Sequence, residues 1–153
     1  KFGEYYQGEQ YDVILSLAIL LYGGKDLRGA ARWLNRIASV RTAVQLRPEI
    51  LVTAKLVLLI VHYENKEENI GYLLKSSRIW LEKSGLFKSA GMFVRFIEAM
   101  HDKLPAKEKK IRCIRQWNAF RKAQEDPNEK LISKYFDFEN WMKKTAEIRS
   151  PTS

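Results

Sequence analysis

Apolar residues recur along this chain at three- and four-residue spacings, a helical period. Tyr11, Ile14, Leu15, Ala18, Ile19 and Tyr22 form one stripe and predict a first helix from about Glu9 to Tyr22. Gly23 and Gly24 break it. Asp26 can cap a second helix, in which Leu27, Ala30, Trp33, Leu34 and Ile37 face inward. Arg28, Arg32 and Arg36 then lie four apart on the opposite side. Beyond a less regular stretch, 39–47, Pro48 stands at the first turn of a third helix, where its missing N–H costs nothing. Between Ile50 and Val61 only Thr53 and Lys55 interrupt the apolar residues. A helix that apolar is packed on several sides, so this one is expected to be central.

The polar cluster Glu64 to Asn69 ends the third helix, and a fourth carries Leu73, Leu74, Ser77, Trp80 and Leu81. Ser84 and Gly85 mark the next turn. A fifth helix carries Phe87, Ala90, Phe93, Val94, Ile97 and Met100, and Pro105 opens a sixth with Ile111, Ile114, Trp117 and Phe120 inside. Asp126-Pro127-Asn128 stops the sixth. A terminal segment, 129–149, holds Leu131, Tyr135, Phe136, Phe138, Trp141 and Met142, with a break near Asp137, which can cap its second half. No strand-like alternation of useful length occurs. The expected fold is all-α, about six to eight helices, in a single helical-repeat domain over 1–153.

The helices pair into hairpins at about 9–38, 48–84 and 86–125. Tyr22-x-x-Lys25 ends the leading helix of the first pair, and Tyr63-x-x-Lys66 that of the second, 41 residues later. Ala30 and Gly71 share that offset, and a small residue there lets two helix backbones approach closely. Ala18 and Ala30 are also twelve apart, the spacing of the small positions in a tetratricopeptide repeat (TPR). The offset exceeds the about 34 residues usual for that repeat, and the third hairpin keeps little of the signature.

The run Leu56-Val57-Leu58-Leu59-Ile60-Val61-His62-Tyr63-Glu64, followed by Tyr72-Leu73-Leu74-Lys75-Ser76-Ser77, resembles an uncharacterised family of bacterial TPR-like proteins. The tail Asp126-Pro127-Asn128-Glu129-Lys130, then Tyr135-Phe136-Asp137-Phe138 and Trp141, is similar to that family's C-terminal portion. The resemblance implies a right-handed superhelix of helical hairpins and a chain longer upstream. It implies no activity. Lys25 and Lys66 stand where a turn glycine is usual, so those turns are expected to differ in shape.

Composition narrows the class. The 153 residues are 46% hydrophobic and 29% charged, a folding composition. The longest uncharged run, Val13 to Gly24, is too short to span a bilayer. The first ten residues lack the apolar core of a signal peptide, and the chain starts at Lys1 without methionine, so a longer parent chain is expected. One cysteine, Cys113, excludes an intrachain disulfide and favours a reducing compartment, the cytoplasm.

Catalytic chemistry finds little foothold. His62 and His101 fall on different helices without metal-type spacing; the end of an apolar helix suits His62 as a structural residue. Cys113 reads as a small core residue rather than a nucleophile. Gly23-Gly24-Lys25 follows a helix and lacks the rest of a phosphate loop. No catalytic, metal or cofactor residue is expected, and a non-enzyme is the reading.

The net charge of +9 is unevenly spread. Five arginines and no acid lie between Leu27 and Pro48. Besides the Arg28, Arg32, Arg36 ridge, a second patch gathers Lys107, Lys109, Lys110, Arg112 and Arg115. Five phosphate contacts would give a log-log salt slope of about −4 to −5 on duplex DNA. Against that, Trp33 and Trp117 sit on apolar stripes, leaving no aromatic for base stacking, and basic faces of helical repeats are commonly just solvated. Stacked hairpins, by contrast, expose one helix of each pair to a partner. Val52, Lys55, Leu59 and His62 share a face of the third helix; Lys88, Met92 and Arg95 share one of the fifth. Lys55, His62, Lys88 and Arg95 are therefore candidate contacts to a peptide with acidic and aliphatic side chains. The competing reading buries Val52 and Leu59 and lets Lys55 snorkel out. The expectation is a non-catalytic scaffold module that binds protein, with a nucleic-acid-binding module on the arginine ridge as the alternative. A homo-oligomer through an uncovered repeat end is a further expectation.

Overall fold

A computed structural model describes residues 2–40 and 46–149, with side chains from Gln10 onward. Arg41 and most of the irregular 39–47 stretch lie outside the described residues. The described chain is all-α: α1 (Phe2–Gly23), α2 (Leu27–Ala38), α3 (Pro48–Glu64), α4 (Ile70–Ser84), α5 (Lys88–His101), α6 (Ala106–Ala123), a 3-10 segment (Glu129–Ser133) and α7 (Phe138–Thr145). It divides into two compact units, 1–70 and 71–153, so the division falls inside the predicted 48–84 hairpin.

In the first unit α2 packs against α1 and α3. Its N-terminus is held locally, since the Asp26 carboxylate accepts from the Gly29 N–H at 2.9 Å. The carboxylate sits close over Gly29, where a Cβ would lie 2.4 Å from Asp26 Oδ2, so a larger residue there would require the carboxylate to shift. Leu15, Ala18, Ala30, Leu34 and Ile37 are buried, whereas Trp33 is only half-buried. On α1, Val13, Leu17 and Leu20 are exposed, one helical turn apart, and α1 runs well before Glu9. The start of the apolar stripe thus did not mark the start of the helix. Pro48 opens α3 as expected, and buried residues surround it almost completely from Ile50 to Val61.

The two lysine turns correct the expectation drawn from their missing glycines. Lys25 has φ 67° and Lys66 φ 55°, both left-handed. Lys25 N–H donates to Tyr22 O and Asp26 N–H to Leu21 O; Lys66 N–H donates to Tyr63 O and Glu67 N–H to His62 O. Each is a Schellman turn, which satisfies two orphan carbonyls and offsets the cost of a side chain in that conformation. The same turn shape therefore recurs 41 residues apart in sequence. Glu147, φ 53°, repeats it after α7.

In the second unit α5 packs on α6, α6 on α7, and the 3-10 segment on α5. The core is aromatic. Phe93 lies 4.9 Å from Phe138 and 5.5 Å from Trp141, ring centre to ring centre, and Phe96 meets Trp141 at 6.2 Å. Asp137 caps α7 through the Asn140 N–H at 3.0 Å, the predicted break. On α6 the inward stripe is Cys113, Trp117 and Phe120, while Ile111 is half exposed. The expectation that Ile111 points inward is thus corrected. The helix turns its Cys113 arc toward the core and carries that arc on to Gln124.

Candidate functional site

Helix α5 is anchored from far along the chain. Phe87, its N-cap, offers no side-chain acceptor. Glu129 of the 3-10 segment does this instead: its carboxylate accepts from Lys88 N–H at 3.0 Å, Ser89 N–H at 2.8 Å and Ser89 Oγ–H at 2.6 Å. A carboxylate suits the positive end of the helix dipole. Gln124 Nε2 donates to Ser89 Oγ and to Glu129 O, both at 2.9 Å, and Ser133 Oγ donates to Gln124 Oε1 at 2.7 Å. Every member of this buried polar network has partners, so it rigidifies rather than weakens the fold. At the other end of α5, Lys109 Nζ donates to Met100 O at 2.9 Å.

The helix so held presents a stripe that two clefts share. Toward its N-terminus, Leu81 and Glu82 of α4 and Phe87, Lys88, Gly91, Met92 and Arg95 enclose a cleft of about 390 Å³. Its lining is mostly apolar, with Lys88 and the paired Glu82 and Arg95 as the charged members. Gly91 faces open space, for a Cβ built there meets nothing within 4 Å. Arg95 also lines a second, polar cleft of about 380 Å³, with Arg78 of α4, Glu98 and Asp102 of α5, and Arg112, Arg115 and Gln116 of α6. Arg78 Nε donates to Glu98 at 3.0 Å, Arg95 Nη2 to Glu82 at 2.9 Å and Arg112 Nη2 to Glu108 at 3.0 Å.

Of the residues singled out in the sequence, Lys88 and Arg95 come together with Met92, whereas Lys55 and His62 belong to the first unit. Val52 and Leu59 on their face of α3 are buried. Lys55 is half-buried, and burial pushes its ammonium pKa down. His62 Nδ1 meets Glu67 Oε2 at 2.6 Å, and that hydrogen bond holds the Glu67 carboxyl below its ordinary value.

Arg28, Arg32 and Arg36 are exposed on α2. The Arg36 guanidinium sits 5.2 Å from the Trp33 ring centre, so Trp33 is not wholly an inward residue. Arg28 and Arg32 have no carboxylate partner among the described residues. The patch on α6 is dispersed: Lys109 serves α5, and Lys110 Nζ donates to the carbonyls of Ala146 and Glu147 at the end of α7. Cys113 is buried, and desolvation pushes its thiol pKa up, against the weaker pull of Lys109 and Lys110. Among the described residues no group of three or more His, Cys, Asp or Glu is placed to hold a metal, and no helix is long and apolar enough to cross a membrane. No protein-family model matches the chain, and no curated protein or solved structure matches it.

Sequence reasoning missed Leu81, Phe87 and Gly91 as one surface, and the four converging arginines. Both sets assemble across helices, and no single-helix period reports them.

Proposed function

We infer that this chain is a non-catalytic, TPR-like protein-interaction module working in the cytoplasm, and that it docks a peptide segment along the outer stripe of α5. The observation that carries the reading is the cleft beside Gly91. An interior helix glycine costs about 1 kcal/mol relative to alanine, and here no neighbour fills the space that it leaves. Room for a partner's side chain or backbone accounts for it. The mostly apolar lining, with exposed Lys88 beside the Arg95–Glu82 pair, fits a segment that combines an aliphatic anchor with an acidic residue. The recurring Schellman turns at Lys25 and Lys66 support the hairpin-repeat part of the reading.

Panning a displayed random-peptide library against the full chain tests the docking. Enriched peptides should pair Leu, Ile, Met or Phe with Asp or Glu, and should lose binding to Gly91→Leu, which fills the cleft, and to Lys88→Glu. Enriched peptides that bind both variants unchanged, or no enrichment, sink the reading.

A second reading rests on Arg28 and Arg32, which have no carboxylate partner among the described residues, with Arg36 over Trp33, a basic surface for nucleic acid. Arg28→Glu combined with Arg32→Glu should then abolish binding of a duplex oligonucleotide while leaving the selected peptides bound. Oligonucleotide binding that is absent from the parent chain at low salt removes this alternative.

A further inference from the structure

The polar cleft between α4, α5 and α6 shares Arg95 with the docking cleft but has its own lining otherwise. Four guanidinium groups, Arg78, Arg95, Arg112 and Arg115, line it, and Glu98 and Asp102 are the acidic lining residues. Glu82 and Glu108 pair with Arg95 and Arg112, so Arg115 alone of the four has no carboxylate partner among the described residues. We propose that this cleft is an anion-binding site that takes a dianionic phosphate group, free or as a monoester.

Weakly held positive charge is the first argument. A phosphate monoester carries about −1.5 to −2 at pH 7, enough to engage Arg115 and to take Arg112 from its exposed Glu108 partner, whereas a nucleic-acid backbone would present single charges spread along a strand. Geometry is the second. Guanidinium groups offer planar pairs of donors that fit phosphate oxygens, and these four, from three helices, line one cleft. Arg78 spends its Nε on Glu98, and Arg95 one Nη on Glu82, which orients both groups and leaves further donors on each. Arg112 is held only by Glu108, an exposed pair one helical turn away, so exchanging that carboxylate for a phosphate loses little. Arg115 has no ion pair or hydrogen bond among the described residues. The Gln116 amide adds a neutral donor, and a cleft of about 380 Å³ has room for the group that carries the ester.

The test titrates the full chain with inorganic phosphate, and in parallel with N-acetylphosphoserine amide, at constant ionic strength set by chloride. Arginine Nε–Hε NMR signals are followed. The expected result is saturable one-to-one binding of at least one probe with Kd at or below about 1 mM, with shifts at Arg112 and Arg115. Arg115→Gln should weaken it about tenfold without moving the unfolding midpoint, because no carboxylate loses a partner. Arg28→Gln with Arg32→Gln on α2 should leave it unchanged. Tighter binding of the phosphoserine derivative assigns the site to a phosphorylated side chain, and tighter binding of inorganic phosphate to the free anion. Absence of saturation of either probe by about 10 mM, equal weakening by the α2 variants, or indifference to Arg115→Gln overturns the proposal. A short duplex oligonucleotide that binds more tightly than both probes and is lost in Arg115→Gln overturns it too.

Discussion

Helices α2 and α5 each carry arginine on an outer face, and each begins at a carboxylate that caps its first turn. The distance along the chain separates them. Asp26 stands just before α2 and reaches Gly29, three residues on, while Glu129 reaches Lys88 and Ser89 from about 40 residues later. The ridge on α2 is therefore set by local chemistry and would survive wherever that helix forms. The clefts along α5 depend on the whole second unit, because the groups that fix its start come from the 3-10 segment and the end of α6. A surface held by local contacts is only positioned, whereas one held by distant contacts is coupled to global folding.

Breaking the distant cap is the severest challenge to this contrast. Glu129→Ala strands two backbone N–H groups and the Ser89 hydroxyl in a buried place, and should cost about 3–4 kcal/mol, read as a lower urea midpoint. Glu129→Gln keeps one accepting oxygen and should lose less. Asp26→Ala should cost about 1 kcal/mol, because α2 loses one exposed cap bond and the freed N–H can turn to water. Equal losses for Asp26→Ala and Glu129→Ala would dissolve the distinction. Gly91→Ala should act the other way, raising stability by about 0.5–1 kcal/mol, since the new methyl group meets open space. A loss of stability there would mean that the cleft is not open.

The smallest effect concerns pH in the first unit. Hydrogen bonding to His62 holds the Glu67 carboxyl below its ordinary value of 4.5. The contribution of this pair is present above that value and fades as pH falls through the lowered one, so Glu67→Gln should flatten a modest acid-side loss. An acid limb of the unfolding midpoint that is identical in the variant would refute it.

Much of the fold was readable. Asp26, Pro48, Gly85 and Asp137 mark helix boundaries through local backbone chemistry, and all four act within a few residues of themselves. The lysine turns were misread because the left-handed cost of one residue is visible in sequence, while the two hydrogen bonds that offset it are not. Ile111 was misread because Ile111, Ile114 and Cys113 suggest two overlapping stripes on α6, and only packing selects between them. At the candidate site, the face shared by Lys88, Met92 and Arg95 followed from helical spacing. The Lys107 to Arg115 run did not survive as one patch, since Lys109 and Lys110 turn to carbonyls of α5 and α7.

The amino-acid sequence by itself determined that this protein is helical, roughly where its helices start and stop, and that it is strongly basic. Those properties depend on period, caps and counted charge, all of which act over one or two turns. Only the tertiary structure decided that Glu129 caps α5, that Gly91 opens on a cleft, and that Arg78, Arg95, Arg112 and Arg115 converge. Each of these brings residues far apart in the chain to one place, and that is set by how side chains pack between helices.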